Sequence, residues 1–244
     1  MEKLLKLFEE YNNTCSIKNI KDKCVTFARS IKYFEYLDRF SDKDAWIIVN
    51  ELPIINSKCN LKFYLDPYPE YVFTLYHNQI YKKITPKQPT IGKNCKIHKT
   101  SVLDADGLKV INTPVGKKIQ FKHTGKVVVG NDVEIGPHTV VHRGTLEDTI
   151  IGDGCKIGAL TNIGHNCYIG SNTIIAAGVI LNGGVCVGEN CWISSGAMIR
   201  HYVYICDNVV IGLGAVVVKD IIEPGIYVGN PARYLKPVEE GWNF

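Results

Sequence analysis

The 244-residue sequence has no apolar run long enough to cross a bilayer and little imbalance of charge. A bilayer-spanning helix needs about 20 consecutive apolar residues, so the sequence predicts no membrane segment. The net charge of +4 is too small to favour nucleic acid as a partner. The first residues, MEKLLKLFEEYNN, carry three glutamates inside an apolar pattern, which predicts an amphipathic helix and not a signal peptide.

Paired cysteine spacing is also missing. The nine cysteines are odd in number and show no spacing typical of a disulfide framework. Four of them, Cys95, Cys155, Cys167 and Cys191, recur at a repeat position that takes small apolar residues, which predicts a core role. Without a secretion signal, this usage predicts a reducing, cytoplasmic location.

A six-residue repeat dominates the second half of the chain. Twelve units run without a break from 151 to 222; each opens on Ile, Leu or Val and carries a small or β-branched residue at its fifth position. A period of six would spread these residues around a helix of 3.6 residues per turn, whereas short strands joined by tight turns keep both inside. Three units form one triangular coil of 18 residues. The sequence therefore predicts a mainly β protein built on a left-handed parallel β-helix.

The repeat is preceded by a different pattern and is interrupted twice. Residues 1–86 contain strand-like segments (CVTFARSIKYF, DAWIIVN, LKFYL) and helical segments, which predicts a small α/β domain. The β-helix is predicted over 87–230, with inserted loops at 103–126 and 141–150, followed by a C-terminal tail, 231–244. Insertions in a repeat protein leave from one face, often the binding face, so a site is expected around the first coils.

A histidine and a glycine one coil apart are the candidate catalytic pair. His165 occupies the outward third position of its hexad, and Gly183 follows 18 residues later. Strands of adjacent coils lie about 4.8 Å apart, so the Gly183 backbone N–H should lie beside the imidazole. A base beside a backbone donor is the minimum apparatus for acyl transfer. Glu147 and Asp148, one coil earlier, either orient the far ring nitrogen or cap a turn, and the sequence leaves both open.

Other polar residues suggest a ligand or an ion. Basic residues cluster around the interruptions, which favours either a solvated face or contacts to an anionic substrate, with Lys122, His123 and Arg143 as candidates. His201, two coils beyond His165, and the nearby Cys206 leave a metal site open. The two imidazoles would lie about 10 Å apart within one chain, too far to share an ion, so no metal is expected.

Four motifs between Asp104 and about Asn182 resemble those of one enzyme family. DADG, KVVVGNDVEIG, HRGTLEDTIIG and IGHNCYIG occur in the same order in the UDP-3-O-acylglucosamine N-acyltransferases of lipid A synthesis. This resemblance implies a trimer with an N-terminal nucleotide-binding domain, a left-handed β-helix and a catalytic histidine, here His165. In the related O-acyltransferases the glycine one coil later donates the oxyanion hydrogen bond, which implies that role for Gly183.

The ending IYVGNPARYLKP departs from that family and resembles hexapeptide acetyltransferases that use coenzyme A. This resemblance implies that Pro231, Ala232 and Arg233 lie beside acetyl-CoA or another short acyl-CoA, with Lys219 near a phosphate. The lipid A enzymes instead recruit acyl carrier protein through a helical extension, which the short ending disfavours. Gly-Asn-Pro is equally a β-turn that could end the β-helix without a ligand.

The motifs between Asp104 and Asn182 and the C-terminal ending together resemble acetyltransferases that act on nucleotide-linked amino sugars. This resemblance implies a homotrimeric N-acyltransferase that depends on coenzyme A, most simply an N-acetyltransferase. Its predicted acceptor is the amine of a nucleotide-linked amino sugar for cell-surface glycans, with no metal involved. Three alternatives stay open: a sugar O-acyltransferase, an N-acyltransferase of the lipid A type that depends on acyl carrier protein, and a metal-binding β-helix like the γ-carbonic anhydrases.

Overall fold

The computed structural model describes four stretches of the chain: residues 2–11, 13–54, 59–82 and 87–239. The predicted domain limit at residue 86 and the last predicted tail residues, 240–244, lie outside the described residues. Within the described stretches no helix is both long enough and apolar enough to span a membrane.

The chain is divided between two units. The first comprises Met1–Thr85 together with Leu108–Lys122, and the second comprises Pro86–Gly107 together with His123–Phe244. Part of the predicted insertion 103–126 therefore belongs to the first unit. The chain leaves the second unit after Gly107 and re-enters it at His123.

The first unit is a small α/β assembly, as its sequence pattern predicts. Its elements are α1 (Glu2–Leu7), β1 (Asn13–Thr14), β2 (Cys24–Ala28), a 3₁₀ helix (Ile31–Phe40), β3 (Ala45–Val49), β4 (Lys62–Leu65), α2 (Pro69–Ile80), β8 (Val110–Asn112) and β9 (Lys118–Gln120). Strands β1 to β4 form one parallel sheet in chain order. The hairpin β8–β9 is antiparallel and lies against α2, as do β2 and β3.

One strand of this unit is shorter than predicted. The sequence predicts a strand over CVTFARSIKYF, but β2 ends at Ala28 and the 3₁₀ helix begins at Ile31. Between them the Ser30 hydroxyl accepts the Lys32 N–H at 3.4 Å, and the Ser30 carbonyl accepts the Tyr33 N–H at 3.0 Å. Serine competes in this way for nearby backbone donors and favours turns, which ends the strand.

A buried histidine ties α2 to two other segments of the first unit. The His77 side chain is fully buried, with Nδ1 2.7 Å from the Thr14 hydroxyl and Nε2 2.8 Å from the Lys122 carbonyl. A carbonyl only accepts, so the neutral ring carries its proton on Nε2 and accepts the Thr14 hydroxyl at Nδ1. Burial lowers the pKa of His77 to about 4, so this tether needs the neutral ring.

The second unit is a left-handed parallel β-helix, which confirms the predicted fold class. Each coil gives one strand to each of three sheets. The first sheet holds β5 (Thr90–Ile91), β10 (Val127–Val129), β13 (Thr149–Ile151), β16 (Tyr168–Ile169), β19 (Cys186–Val187) and β22 (Tyr204–Ile205). The second holds β6 (Lys96–Ile97), β11 (Glu134–Ile135), β14 (Lys156–Ile157), β17 (Ile174–Ile175), β20 (Trp192–Ile193), β23 (Val209–Ile211), β25 (Gly225–Val228) and the antiparallel β26 (Arg233–Lys236). The third holds β7 (Val102–Ala105), β12 (Val140–His142), β15 (Asn162–Ile163), β18 (Ile180–Leu181), β21 (Met198–Ile199) and β24 (Val216–Val217).

The hexad pattern marks the residues that point into the coils. The twelve openers of the unbroken run are at most 3% exposed, and the twelve fifth-position residues are at most 5% exposed. Two of the latter are threonines: Thr161 donates its hydroxyl to the Ala176 carbonyl and Thr173 to the Gly188 carbonyl. Their polar groups are therefore satisfied inside the coil, and the core tolerates them.

The cysteines of the repeat behave as predicted, whereas two others do not. Cys155, Cys167 and Cys191 are buried in the β-helix core, and Cys95 is partly buried against it. Burial raises the pKa of Cys155 and Cys191 to about 11 and that of Cys167 to about 12, so these thiols stay protonated. In the first unit Cys15 and Cys24 form a disulfide. Their spacing does not predict this disulfide, because the pairing of β1 with β2 brings the two residues together.

The neutral His77 tether makes the first unit sensitive to acid. Because the folded pKa of about 4 lies below the unfolded value of about 6.5, unfolding takes up a proton between these pH values. The contribution is intact above pH 6.5 and falls as the pH drops towards 4, by at most about 3 kcal/mol. Urea unfolding followed by tryptophan fluorescence should show a steeper acid loss for the natural protein than for His77→Gln. Parallel pH profiles for the two proteins would contradict this assignment.

Candidate active site

The two predicted catalytic residues meet at stacked turns of the β-helix. In the pairing of β15 with β18, Ile163 lies opposite Leu181, so the turn that follows Ile163 stacks on the turn that follows Leu181. A Cβ atom added to Gly183 would lie 2.6 Å from His165 Nε2 and 2.7 Å from His165 Cε1. The imidazole thus occupies the space that a side chain at Gly183 would fill.

The other ring nitrogen of His165 is held by a residue that the sequence analysis did not single out. His165 Nδ1 lies 2.9 Å from Asn166 Oδ1. That oxygen also accepts the Thr145 N–H at 3.0 Å and the Thr145 hydroxyl at 2.9 Å, while Asn166 Nδ2 donates to the Glu147 carbonyl at 2.9 Å. A backbone N–H only donates and a carbonyl only accepts, so these two groups fix which end of the amide is oxygen.

The fixed amide in turn fixes the tautomer of the histidine. Because Asn166 Oδ1 is an acceptor, His165 Nδ1 must carry the proton. The neutral ring is then left with its lone pair on Nε2, the atom that lies over Gly183. This is the protonation state of a general base aimed at the Gly183 backbone.

The two acidic candidates make other contacts. Asp148 Oδ1 accepts the Lys126 N–H at 2.9 Å, which is the turn-capping use that the sequence left open. Glu147 reaches the histidine indirectly, because its backbone carbonyl holds the Asn166 amide. An orienting role for the Glu147 carboxylate stays a prediction.

Both insertions contribute to the surroundings of His165. The first supplies Gly107 and His123: the two imidazole centroids lie 5.4 Å apart, and the Gly107 N–H donates to His123 Nδ1 at 2.7 Å. The second supplies Thr145, which holds the Asn166 amide as described. Residues of both predicted insertions therefore lie around His165 or hold the amide that orients it.

Two of the predicted substrate contacts are engaged within their own unit. The Arg143 side chain is 3% exposed and lies 3.5 Å from an Asp104 carboxylate oxygen and 3.2 Å from one of Asp106. In the first unit the Lys122 ammonium donates to the Tyr81 carbonyl at the C-terminal end of α2. Each cation thus has a structural partner, and a contact from either one to a substrate stays a prediction.

The C-terminal candidates lie at the last coil. Asn230–Pro231 is a cis peptide, and the Ala232 N–H donates to the Val216 carbonyl at 2.8 Å. The following strand, β26, turns back on β25, so the Gly-Asn-Pro segment is a turn that closes the β-helix. Arg233 and Lys219 are exposed.

The described residues of the chain offer no ligand set for the metal alternative. Among the described residues no group of three or more His, Cys, Asp or Glu side chains could hold a metal ion. His201 is exposed and packs edge-on against Tyr202, with ring centroids 5.5 Å apart.

The coils match a known repeat. Residues 148–183 match the family model described as bacterial transferase hexapeptide (six repeats). This segment is therefore similar to the hexapeptide repeats of bacterial transferases. The matched segment contains His165, Asn166 and Gly183, and the resemblance predicted from the motifs is confirmed at this level.

Curated relatives carry the resemblance further. The chain is 44% identical over 140 residues to a UDP-3-O-acylglucosamine N-acyltransferase of Coxiella burnetii, covering 57% of this chain and 41% of the relative. It is 51% identical over 81 residues to the protein of that name from Dechloromonas aromatica, covering 33% of this chain and 23% of the relative. The chain thus spans about two fifths or less of the length of these relatives.

A solved structure shows the same fold. The UDP-N-acetylglucosamine O-acyltransferase of Moraxella catarrhalis aligns with a TM-score of 0.58 at 21% identity. The alignment covers 64% of this chain and 58% of that one. At this identity the likeness supports the β-helix alone.

A side chain at Gly183 should displace the imidazole. Other turns carry a side chain at the same third position, for example Ala177 and Ser195, so the backbone tolerates one there. At Gly183 the new Cβ would lie 2.6 Å from His165 Nε2, and the ring must move by about 1 Å to reach ordinary contact. A crystal structure of Gly183→Ala should show this shift, with Ala177→Ser as the control that leaves His165 in position. An unmoved ring in Gly183→Ala would contradict the stacking described here.

Proposed function

We propose that this chain is an N-acyltransferase that acylates the amine of a nucleotide-linked amino sugar, with His165 as general base. The observation that carries the proposal is the fixed imidazole, whose Nδ1 proton is held by Asn166 and whose Nε2 lies over the Gly183 backbone. The curated relatives support the choice of an amine acceptor, because their names specify N-acyl transfer.

The reaction needs no nucleophile from the protein. The substrate amine attacks the carbonyl carbon of a thioester, and its proton passes to His165 Nε2 as the C–N bond forms. The Gly183 N–H stabilises the negative charge on the carbonyl oxygen of the tetrahedral intermediate. When the C–S bond breaks, the imidazolium returns the proton to the leaving thiolate, which restores the neutral base.

Two acyl donors are candidates for this reaction. The C-terminal ending favours acyl-CoA, and the curated relatives favour the alternative, a lipid A-type enzyme that takes its acyl group from acyl carrier protein. The relative from Coxiella burnetii matches 140 residues of this chain, whereas the resemblance to coenzyme A enzymes rests on the short C-terminal ending. The alternative is therefore better supported. Both donors offer a thioester on a pantetheine arm, and the role of His165 is the same with either.

We assign nucleotide binding to the first unit on the strength of the resemblance alone. A trimer is expected because a single triangular prism offers little area for a site, whereas neighbouring prisms form clefts.

Removing the imidazole should abolish most of the activity. His165→Ala should lower kcat by about 10² to 10⁴, the usual contribution of a positioned base, while the melting temperature stays close to that of the natural protein. The matched control is His201→Ala, an exposed histidine at the equivalent position two coils further along. If His165→Ala keeps most of its activity, the proposed mechanism is wrong.

A donor comparison separates the two candidates. Rates are measured with acetyl-CoA, longer acyl-CoA and acyl carrier protein thioesters on a panel of nucleotide amino sugars. If coenzyme A is the donor, Arg233→Ala should raise the KM for acyl-CoA more than it lowers kcat, because guanidinium groups bind phosphate. Lys236→Ala, a cation on the same strand that is paired with Glu239, should leave this KM unchanged. If the rate saturates only with the carrier protein thioester and Arg233→Ala does not change that rate, coenzyme A is excluded as the donor.

A further inference from the structure

The second histidine of the site has its own fixed tautomer. His123 is 2% exposed, and its Nδ1 lies 2.7 Å from the Gly107 backbone nitrogen. A backbone N–H only donates, so Nδ1 of His123 must hold a lone pair, and the neutral ring carries its proton on Nε2. Protonation of Nδ1 would set two N–H groups against each other in a buried position. The tautomer of His123 is therefore opposite to that of His165, whose proton is on Nδ1.

Gly107 lies between the two imidazole rings. A Cβ added there would lie 2.9 Å from His123 Cε1 and 2.9 Å from His165 Cδ2, so only glycine allows this approach. The ring planes are inclined by 31°, with centroids 5.4 Å apart. Gly183 meets the same imidazole of His165 at Nε2 and Cε1. His165 is thus enclosed by two glycine backbones, and the position of one of them depends on its hydrogen bond to His123.

The hydrogen bond between Gly107 and His123 joins the two ends of a segment that leaves the second unit. These residues are the last before and the first after the segment Leu108–Lys122, which belongs to the first unit. The strand that leads to Gly107 is anchored independently: the Arg143 N–H donates to the Ala105 carbonyl, and Arg143 Nε donates to the Asp104 carbonyl, both at 2.9 Å. With that side fixed, the His123 acceptor holds the final peptide N–H in position beside His165.

We propose that His123 is a positioning residue for His165, acting through its Nδ1 acceptor and the Gly107 backbone. This inference rests on the proposed function, because it assumes that His165 is the base. In this role Nδ1 of His123 accepts the Gly107 N–H, and no contact between Nε2 and the substrate is required. This differs from the direct substrate contact that the sequence predicts for His123.

Two amide substitutions separate the nitrogens of His123. Asparagine can offer its Oδ1 near the position of Nδ1 and so accept the Gly107 N–H, whereas glutamine carries its amide near the position of Nε2. His123→Phe removes both functions. We expect His123→Phe and His123→Gln to lower kcat about 10- to 100-fold, since a misplacement of about 1 Å can cost 10² in rate. His123→Asn should recover most of the rate, and the KM for the acceptor should change little in all three.

A measurement on the natural protein tests the premise without activity. Long-range ¹H–¹⁵N NMR correlations report which ring nitrogen carries the proton, and we expect the proton of His123 on Nε2. A proton on Nδ1 overturns the proposal, and this test remains available if His123→Phe fails to fold. Melting curves of the Asn and Gln variants then show whether their rates can be compared.

The kinetic outcomes distinguish this proposal from the proposed function. Rescue by Asn and loss in Gln supports positioning through Gly107. Rescue by Gln and loss in Asn overturns it in favour of direct contact through Nε2, and unchanged rates in all three variants overturn it outright. Full activity in His165→Ala would instead remove the proposed function, while the NMR result for His123 would still stand as a statement about the structure.

Discussion

The site depends on the stacking of one coil on the next through parallel strand pairing. Inward-pointing residues, at most 5% exposed through twelve hexads, hold each strand at a fixed rotation, and the backbone ladder sets the distance between coils. Because a coil is 18 residues, the turn that carries His165 must stack on the turn that carries Gly183. The imidazole and the glycine backbone are therefore brought together by the core and not by any direct attraction between them.

Stacking alone does not make a base, because an imidazole on a surface turn can rotate and exchange tautomers. The second constraint comes from a short chain of backbone groups: the Thr145 N–H and the Glu147 carbonyl orient the Asn166 amide, and that amide orients His165. Each link uses a group that can act in only one sense, as donor or as acceptor. The same logic sets His123 through the Gly107 N–H. Two neighbouring histidines thus receive opposite tautomers from the backbone around them.

The sequence was informative where a period was present and silent where chain segments meet without one. The hexads predict the β-helix, its inward residues and the approach of Gly183 to His165, because all three follow from a constant step. The sequence does not single out Asn166, because asparagine recurs at the same turn position. Positive φ angles favour it there, as at Asn172, Asn190 and Asn208. Two contacts join segments outside the repeat: that of Gly107 with His123 and the disulfide of Cys15 with Cys24. The spacing of the sequence therefore does not predict them.

The proposed mechanism requires a neutral His165 ring whose proton is on Nδ1 and whose lone pair is on Nε2. The most direct test is the tautomer of that ring in the natural protein, read from long-range ¹H–¹⁵N NMR correlations at a pH where the imidazole is neutral. We expect a proton on Nδ1, donated to Asn166, and a lone pair on Nε2 over Gly183. A ring that carries its proton on Nε2 would contradict the mechanism, because such a nitrogen could not take a proton from a substrate.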